Sequence, residues 1–169
     1  MSDIKQVIVI RKDLNMRKGK MCAMASHASM KVFFDRLTIF KEDEFLTYTQ
    51  LYDSYEALNT ISHSFTPEMV DWMNGIFKKI VVSCDSEEEL LYLYERAKDK
   101  RIPSAIIEDN GLTEFNCAHC KSRNSCEHYK KTFTISNSKC DKIKVYTAIA
   151  IGPDKSEVID DITKDLKLL

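Results

Sequence analysis

The stretch "QVIVIRKDLNMRKGKMCAMASHASM", Gln6 to Met30, decides the fold. It opens with Val7, Ile8, Val9 and Ile10 in succession between a glutamine and an arginine, an apolar β-branched run of strand length. Such a run is apolar on both alternating faces, so the strand belongs in a sheet covered by helices on each side. A polar loop, Lys12 to Gly19, follows. From Lys20 to about Leu37, Met21, Ala25, Ala28 and Val32 recur at helical spacing, and the alanines let the helix lie close to a sheet. Lys20, Met24, His27 and Lys31 form a second stripe, which puts Lys20 and His27 about 10 Å apart along one side.

The same alternation of elements continues outward. Residues 79–84, 104–108 and 145–151 read as three more apolar strands. Thr66-Pro67 has the form of a helix cap with proline in the first turn, opening a helix that stops near Gly75. Ser86 and Glu89 have capping-box spacing and begin a helix carrying Leu90, Leu93, Tyr94 and Ala97 on one face, ending around Arg101-Ile-Pro103. Asp154 to Glu157 caps a last helix that runs towards Leu166-Lys-Leu-Leu169. Residues 41–60, acidic and aromatic, predict one or two further helices. The pattern predicts an α/β fold: a single domain over residues 1–169, with a mixed four-stranded sheet and helices on both faces. A polar, Cys-rich insert at residues 116–142 interrupts it.

Composition bounds the function. The 169 residues are 44% hydrophobic, enough for one ordinary core. No apolar stretch approaches the ~18 residues of a membrane span or forms a signal peptide, so a cytoplasmic protein without membrane contact is expected. The net charge of −1 hides an asymmetry: residues 1–31 carry +5, residues 116–142 carry +4, and the remainder carries −10. If the two basic segments meet, they make a surface suited to a polyanion.

The six cysteines are not expected to be a disulfide framework in a reducing compartment. Cys22 and Cys84 sit in apolar patterns and read as core. Cys117 and Cys120 have the spacing of a zinc knuckle, and Cys126 with either His128 or Cys140 completes four ligands. Structural zinc, free or regulatory thiols and a disulfide all fit that spacing. Zinc is preferred, because the insert lacks apolar residues of its own to offset the cost of ordering it.

In open α/β sheets ligands favour the carboxyl ends of the strands. Two polar stretches begin there: Arg11 to Lys20, rich in Lys and Arg, and Asp109 to Thr113, an acid and a hydroxyl around a turn. The first lacks the Gly-Lys-Ser/Thr phosphate loop, which disfavours nucleoside triphosphates.

Taken in order, "QVIVIRKDLNMRKGKMCAMASHASM", "KIVVSCDSEEELLYLYERAK", "IPSAIIEDNGLTEF" and "TAIAIGPDKSEVIDDITKDLKLL" resemble the archaeal and eukaryotic type of peptidyl-tRNA hydrolase, in a form also found in bacteria and phages. The resemblance implies an enzyme that cleaves the ester joining a peptide to the 3′ end of tRNA, with peptidyl-tRNA as partner and no cofactor for catalysis. It assigns Lys20, Asp109 and Thr113 to the active cleft, with His27 nearby. Arg11, Arg17, Lys18 and Lys31 then read as tRNA-backbone contacts, joined by Lys121, Arg123, Lys130 and Lys131 if the insert overhangs the cleft. Four positions depart from the family pattern: Met24 stands where glutamine is usual, Asn110 where alanine is, and Lys164-Asp165 where Gly-His is. Met24 leaves room for a rival reading, a non-catalytic RNA-binding or regulatory module on the same fold. A zinc-dependent hydrolase is a third. A homodimer is left open.

Overall fold

The computed structural model describes residues 3–40, 60–109 and 145–169. All eight residues of strand β1 (Ile4–Arg11) are buried, as the apolar run requires. β1 lies in the middle of a five-stranded sheet of order β5-β6-β1-β4-β7, in which β4 is Lys79–Cys84, β5 is Ser104–Asp109, β6 is Val145–Lys155 and β7 is Lys167–Leu168. β4 pairs with β1 in parallel, and β6 pairs antiparallel with both β1 and β5. β1, β4 and β5 therefore point the same way. Their carboxyl ends share one edge of the fold with the start of β6.

The alternation along β1 sends side chains into two cores. Val7 and Val9 pack with Leu90, Leu93 and Ala97 of helix α3 (Glu87–Asp99) and with Ile159 and Ile162 of α4 (Ser156–Thr163). Ile8 and Ile10 face the other way, onto Met24, Ala28 and Val32 of α1 (Lys18–Phe34) and Met69 of α2 (Pro67–Asn74). The sheet is mixed and covered by helices on both faces, as the sequence predicts.

Local chemistry fixes the helix starts. The Thr66 hydroxyl accepts the Met69 N–H at 3.2 Å, and Pro67 supplies a first helical residue that needs no partner for an N–H. Ser86 accepts the Glu89 N–H at 3.0 Å while Glu89 reaches back to the Asp85 N–H at 2.9 Å, a capping box displaced by one residue.

Four boundaries differ from expectation. α1 begins at Lys18 and ends at Phe34; Leu37 already opens strand β2 (Leu37–Phe40), which forms a separate antiparallel ribbon with β3 (Thr60–His63). Asp154 does not cap α4: its carboxylate accepts the neighbouring Lys155 N–H at 2.7 Å, and Asp3 takes the Ser156 N–H at 2.8 Å and hydroxyl at 2.9 Å. α4 also stops at Thr163. The tail beyond it turns back as β7 and pairs with β4, which makes the main sheet five-stranded rather than four-stranded. Of residues 41–60, expected to form one or two helices, 41–59 fall outside the described residues and Thr60 opens strand β3.

One glycine is set by close packing. Gly152 has φ +91°, and a Cβ there would lie 2.6 Å from Ile159 Cδ1 and 2.7 Å from the Lys5 carbonyl oxygen. The backbone oxygen cannot move aside without disturbing β1. Gly152→Ala is expected to lower the unfolding free energy by about 1–3 kcal/mol, measured as a lower urea midpoint with an unchanged m-value.

Candidate active site

The site grows from the edge where β1, β4 and β5 end. β5 closes on Asp109, whose backbone pairs with Val145 at the start of β6. β1 closes on Arg11, and the chain reaches α1 through a turn in which the Asn15 N–H donates to the Lys12 carbonyl at 3.1 Å and Asn15 takes φ +48°. Met16 drops into the core. Arg17 forms the cap position of α1 in an extended conformation, without a side-chain cap bond.

That helix start is electrostatically unusual. The first turn of α1 holds no acidic residue, whereas Lys18 and Lys20 add positive charge to the positive end of the helix dipole. Such an arrangement disfavours the helix and favours an anion beside it. For Lys20 the fold supplies a carboxylate. Its Nζ donates to Asp109 Oδ2 at 2.7 Å, across 89 positions of sequence. The two side chains are only 9% and 14% exposed, so the pair sits in a shielded rim where its attraction is stronger than in bulk water. Two residues assigned to the cleft by resemblance thus meet in space. Thr113 lies outside the described residues.

The remaining expected residues divide. His27 is exposed on α1, seven positions beyond Lys20. Arg17 and Lys18 are exposed at the same helix start, and Lys31 pairs with Asp35 one turn on at 2.6 Å. Arg11 is not on the surface. It is 8% exposed, and its guanidinium donates to both carboxylate oxygens of Asp13 (3.1 and 2.6 Å), to Glu87 Oε2 (2.6 Å) and to the Tyr146 carbonyl (3.1 Å). The bonds to Asp13, chiefly, hold its charge still more firmly than usual. Asp13 and Glu87 carried no signal in the sequence; a lone arginine ending a wholly apolar strand was the available hint that it needed buried partners.

Two further corrections concern α1. Met24 is 6% exposed and belongs to the core, so an apolar residue suits that position and its departure from the family pattern does not argue against a working site. Cys22 is exposed, not core. Cys84 is buried as expected, and burial pushes its thiol up to about 12, which keeps it protonated and inert at neutral pH. Among the described residues no cluster of His, Cys, Asp or Glu could hold a metal; Cys117, Cys120, Cys126, His128 and Cys140, like Lys121 and Arg123, fall outside them. Among the described residues, too, no helix is long and apolar enough to cross a membrane.

Comparison with known proteins gives this geometry a family. Residues 4–169 match the family described as Peptidyl-tRNA hydrolase PTH2. A curated peptidyl-tRNA hydrolase from Methanocaldococcus jannaschii is 32% identical over 167 residues, covering 98% of this chain and 100% of the relative. Those from Staphylothermus marinus, 33% identical over 99% of this chain and 97% of the relative, and Methanopyrus kandleri, 30% identical over 98% and 97%, carry the same name. The chain belongs to the PTH2 family of peptidyl-tRNA hydrolases. These relatives are archaeal, and they lend nothing to the expectation of a bacterial or phage form.

The shielded pair has a measurable consequence for stability. Lys20→Met or Asp109→Leu alone breaks the ion pair and leaves the opposing charge shielded in the rim, which is expected to cost about 3 kcal/mol. The double variant removes both charges and is expected to return to within about 1 kcal/mol of wild type. Urea unfolding of the three variants checks this.

Proposed function

We propose that this peptidyl-tRNA hydrolase cleaves the ester between the peptide and the 3′-terminal ribose of tRNA at the rim where Lys20 meets Asp109. The observation that carries the reading is that ion pair, formed between the basic start of α1 and the end of β5. An ester needs less activation than an amide. A positioned water and a fixed positive charge are enough to lower its barrier.

Water oxygen attacks the ester carbonyl carbon, and the carbonyl oxygen takes on negative charge. Lys20 supplies the compensating charge to that oxyanion or to the adjoining phosphate. Asp109 holds Lys20 in place or takes a proton from the attacking water. Collapse of the tetrahedral adduct breaks the bond to the ribose oxygen, which leaves with a proton, and the products are a peptide carboxylate and free tRNA. Thr113 orients the water or the substrate carbonyl, and His27 carries protons at the margin of the site. No cofactor enters this scheme.

The tRNA backbone lies along Arg17, Lys18 and Lys31, whose charges flank the start and outer side of α1. Arg11 drops out of that set, because its donors are engaged inside the protein. Lys121 and Arg123 extend the surface: the chain leaves the sheet after Asp109, which holds Lys20, and returns to it at Val145, paired with Asp109 across β5 and β6. Cys117, Cys120 and Cys126, with His128 or Cys140, would hold a structural zinc that orders the insert and takes no part in the hydrolysis.

Release of N-acetylated amino acid from blocked aminoacyl-tRNA tests the reading. Wild type turns over. Lys20→Ala and Asp109→Ala are expected to lose about 100-fold or more in kcat, in line with removal of one preorganised electrostatic group. Chelator-treated protein is expected to release zinc, detected by elemental analysis, and to keep the kcat of its folded fraction. Full activity in both alanine variants would remove Lys20 and Asp109 from the site.

A further inference from the structure

Arg11 has no part in the chemistry just described, yet its guanidinium makes four hydrogen bonds at that edge of the sheet. It stands at the last position of β1 with its side chain 9% exposed. Its Nε and Nη2 grip the two carboxylate oxygens of Asp13 at 3.1 and 2.6 Å, a fork-to-fork contact that fixes orientation as well as distance. Its Nη1 donates to Glu87, the first residue of α3, at 2.6 Å and to the carbonyl of Tyr146 at 3.1 Å.

Two of these partners, Asp13 and Tyr146, each lead to one half of the Lys20–Asp109 pair. Asp13 lies in the turn between β1 and α1, and its own carbonyl accepts the Asn15 side-chain amide at 3.1 Å. That turn fixes where α1 begins, and therefore where Lys20 sits in its first turn. Tyr146 is the residue after Val145, the partner of Asp109 across β5 and β6. One buried guanidinium thus ties the segment that presents the lysine to the strand that holds the aspartate.

We infer that Arg11 is a positioning residue for the hydrolytic reaction: it sets the register of the α1 start against the end of β5, and acts on the ester only through Lys20 and Asp109. The inference rests on the proposed site. It also replaces the sequence expectation that Arg11 touches the tRNA backbone. Lysine in its place has the charge but its three donors share one nitrogen, so it cannot match both Asp13 oxygens side by side while reaching Glu87 and Tyr146, as the arginine fork does.

The test compares Arg11→Lys and Asp13→Asn with wild type and Lys20→Ala in the full-length chain, using blocked aminoacyl-tRNA at several salt concentrations and the folded fraction from thermal melts. Misplacement of the pair is expected to lower kcat per folded molecule by about 10- to 100-fold in Arg11→Lys, with KM and its salt dependence unchanged. Asp13→Asn, which keeps the shape but weakens the fork, is expected to lose kcat in the same sense and to a smaller extent. Two results overturn the inference: kcat per folded molecule equal to wild type, which makes Arg11 a stabilising residue alone, or a raised KM with a shallower salt dependence and intact kcat, which makes it an RNA contact. If Arg11→Lys does not fold, Asp13→Asn decides on the same criteria. Wild-type activity in Lys20→Ala would instead remove the site itself, whatever Arg11 shows.

Discussion

Complete burial of β1 is the constraint on which the rest of the structure depends. A strand with helices packed on both faces has no water along its length, so its apolar residues must feed two cores and its polar residues must find partners within the protein. Val7 and Val9 supply one core, Ile8 and Ile10 the other. At its amino end Lys5 pairs with Asp160 of α4, and Gln6 donates to the Gly152 carbonyl at 3.1 Å and accepts the Ser29 hydroxyl at 2.6 Å. At its carboxyl end Arg11 is met by Asp13, Glu87 and Tyr146. These contacts join both helical layers and β6 to the central strand, and they make the carboxyl edge a rigid base for the turn into α1.

Against that base, the start of α1 is an electrostatic exception. Positive side chains crowd the positive end of a helix, and a lysine is drawn into a shielded rim where it pairs with a carboxylate from another strand. A buried pair of this kind gives little net stability compared with apolar residues of similar size. On the proposed reading the pair serves the reaction instead, its shielded, oriented charge facing a developing oxyanion or a phosphate, and the chain belongs to a family of peptidyl-tRNA hydrolases.

Much of this was legible in the sequence. The apolar runs, the proline-bearing cap at Thr66 and the capping box at Ser86 are local signals, and local signals gave the right elements. The meeting of Lys20 with Asp109 was implied by resemblance alone, since no periodicity links residues 89 positions apart. Other features were hidden for identifiable reasons. β7 has two residues, too short for any pattern, and exists because β4 offers it an edge. Arg11 looked like a surface cation because charge normally means exposure, and its partner Glu87 is 76 positions away. Met24 stood in a stripe with Lys20, His27 and Lys31, and Cys22 was read as core from its apolar neighbours; neither signal says which margin of the helix the sheet covers, and Met24 falls on the covered side and Cys22 on the open one.

The central claim is that Lys20 and Asp109 act as one unit in ester hydrolysis. Single-turnover cleavage of blocked aminoacyl-tRNA by Lys20→Ala, Asp109→Ala and the double variant tests it most directly, because groups that act together lose their effect once rather than twice. The account predicts a double variant within about threefold of the slower single variant. Losses that multiply in the double variant would show two independent groups and contradict it.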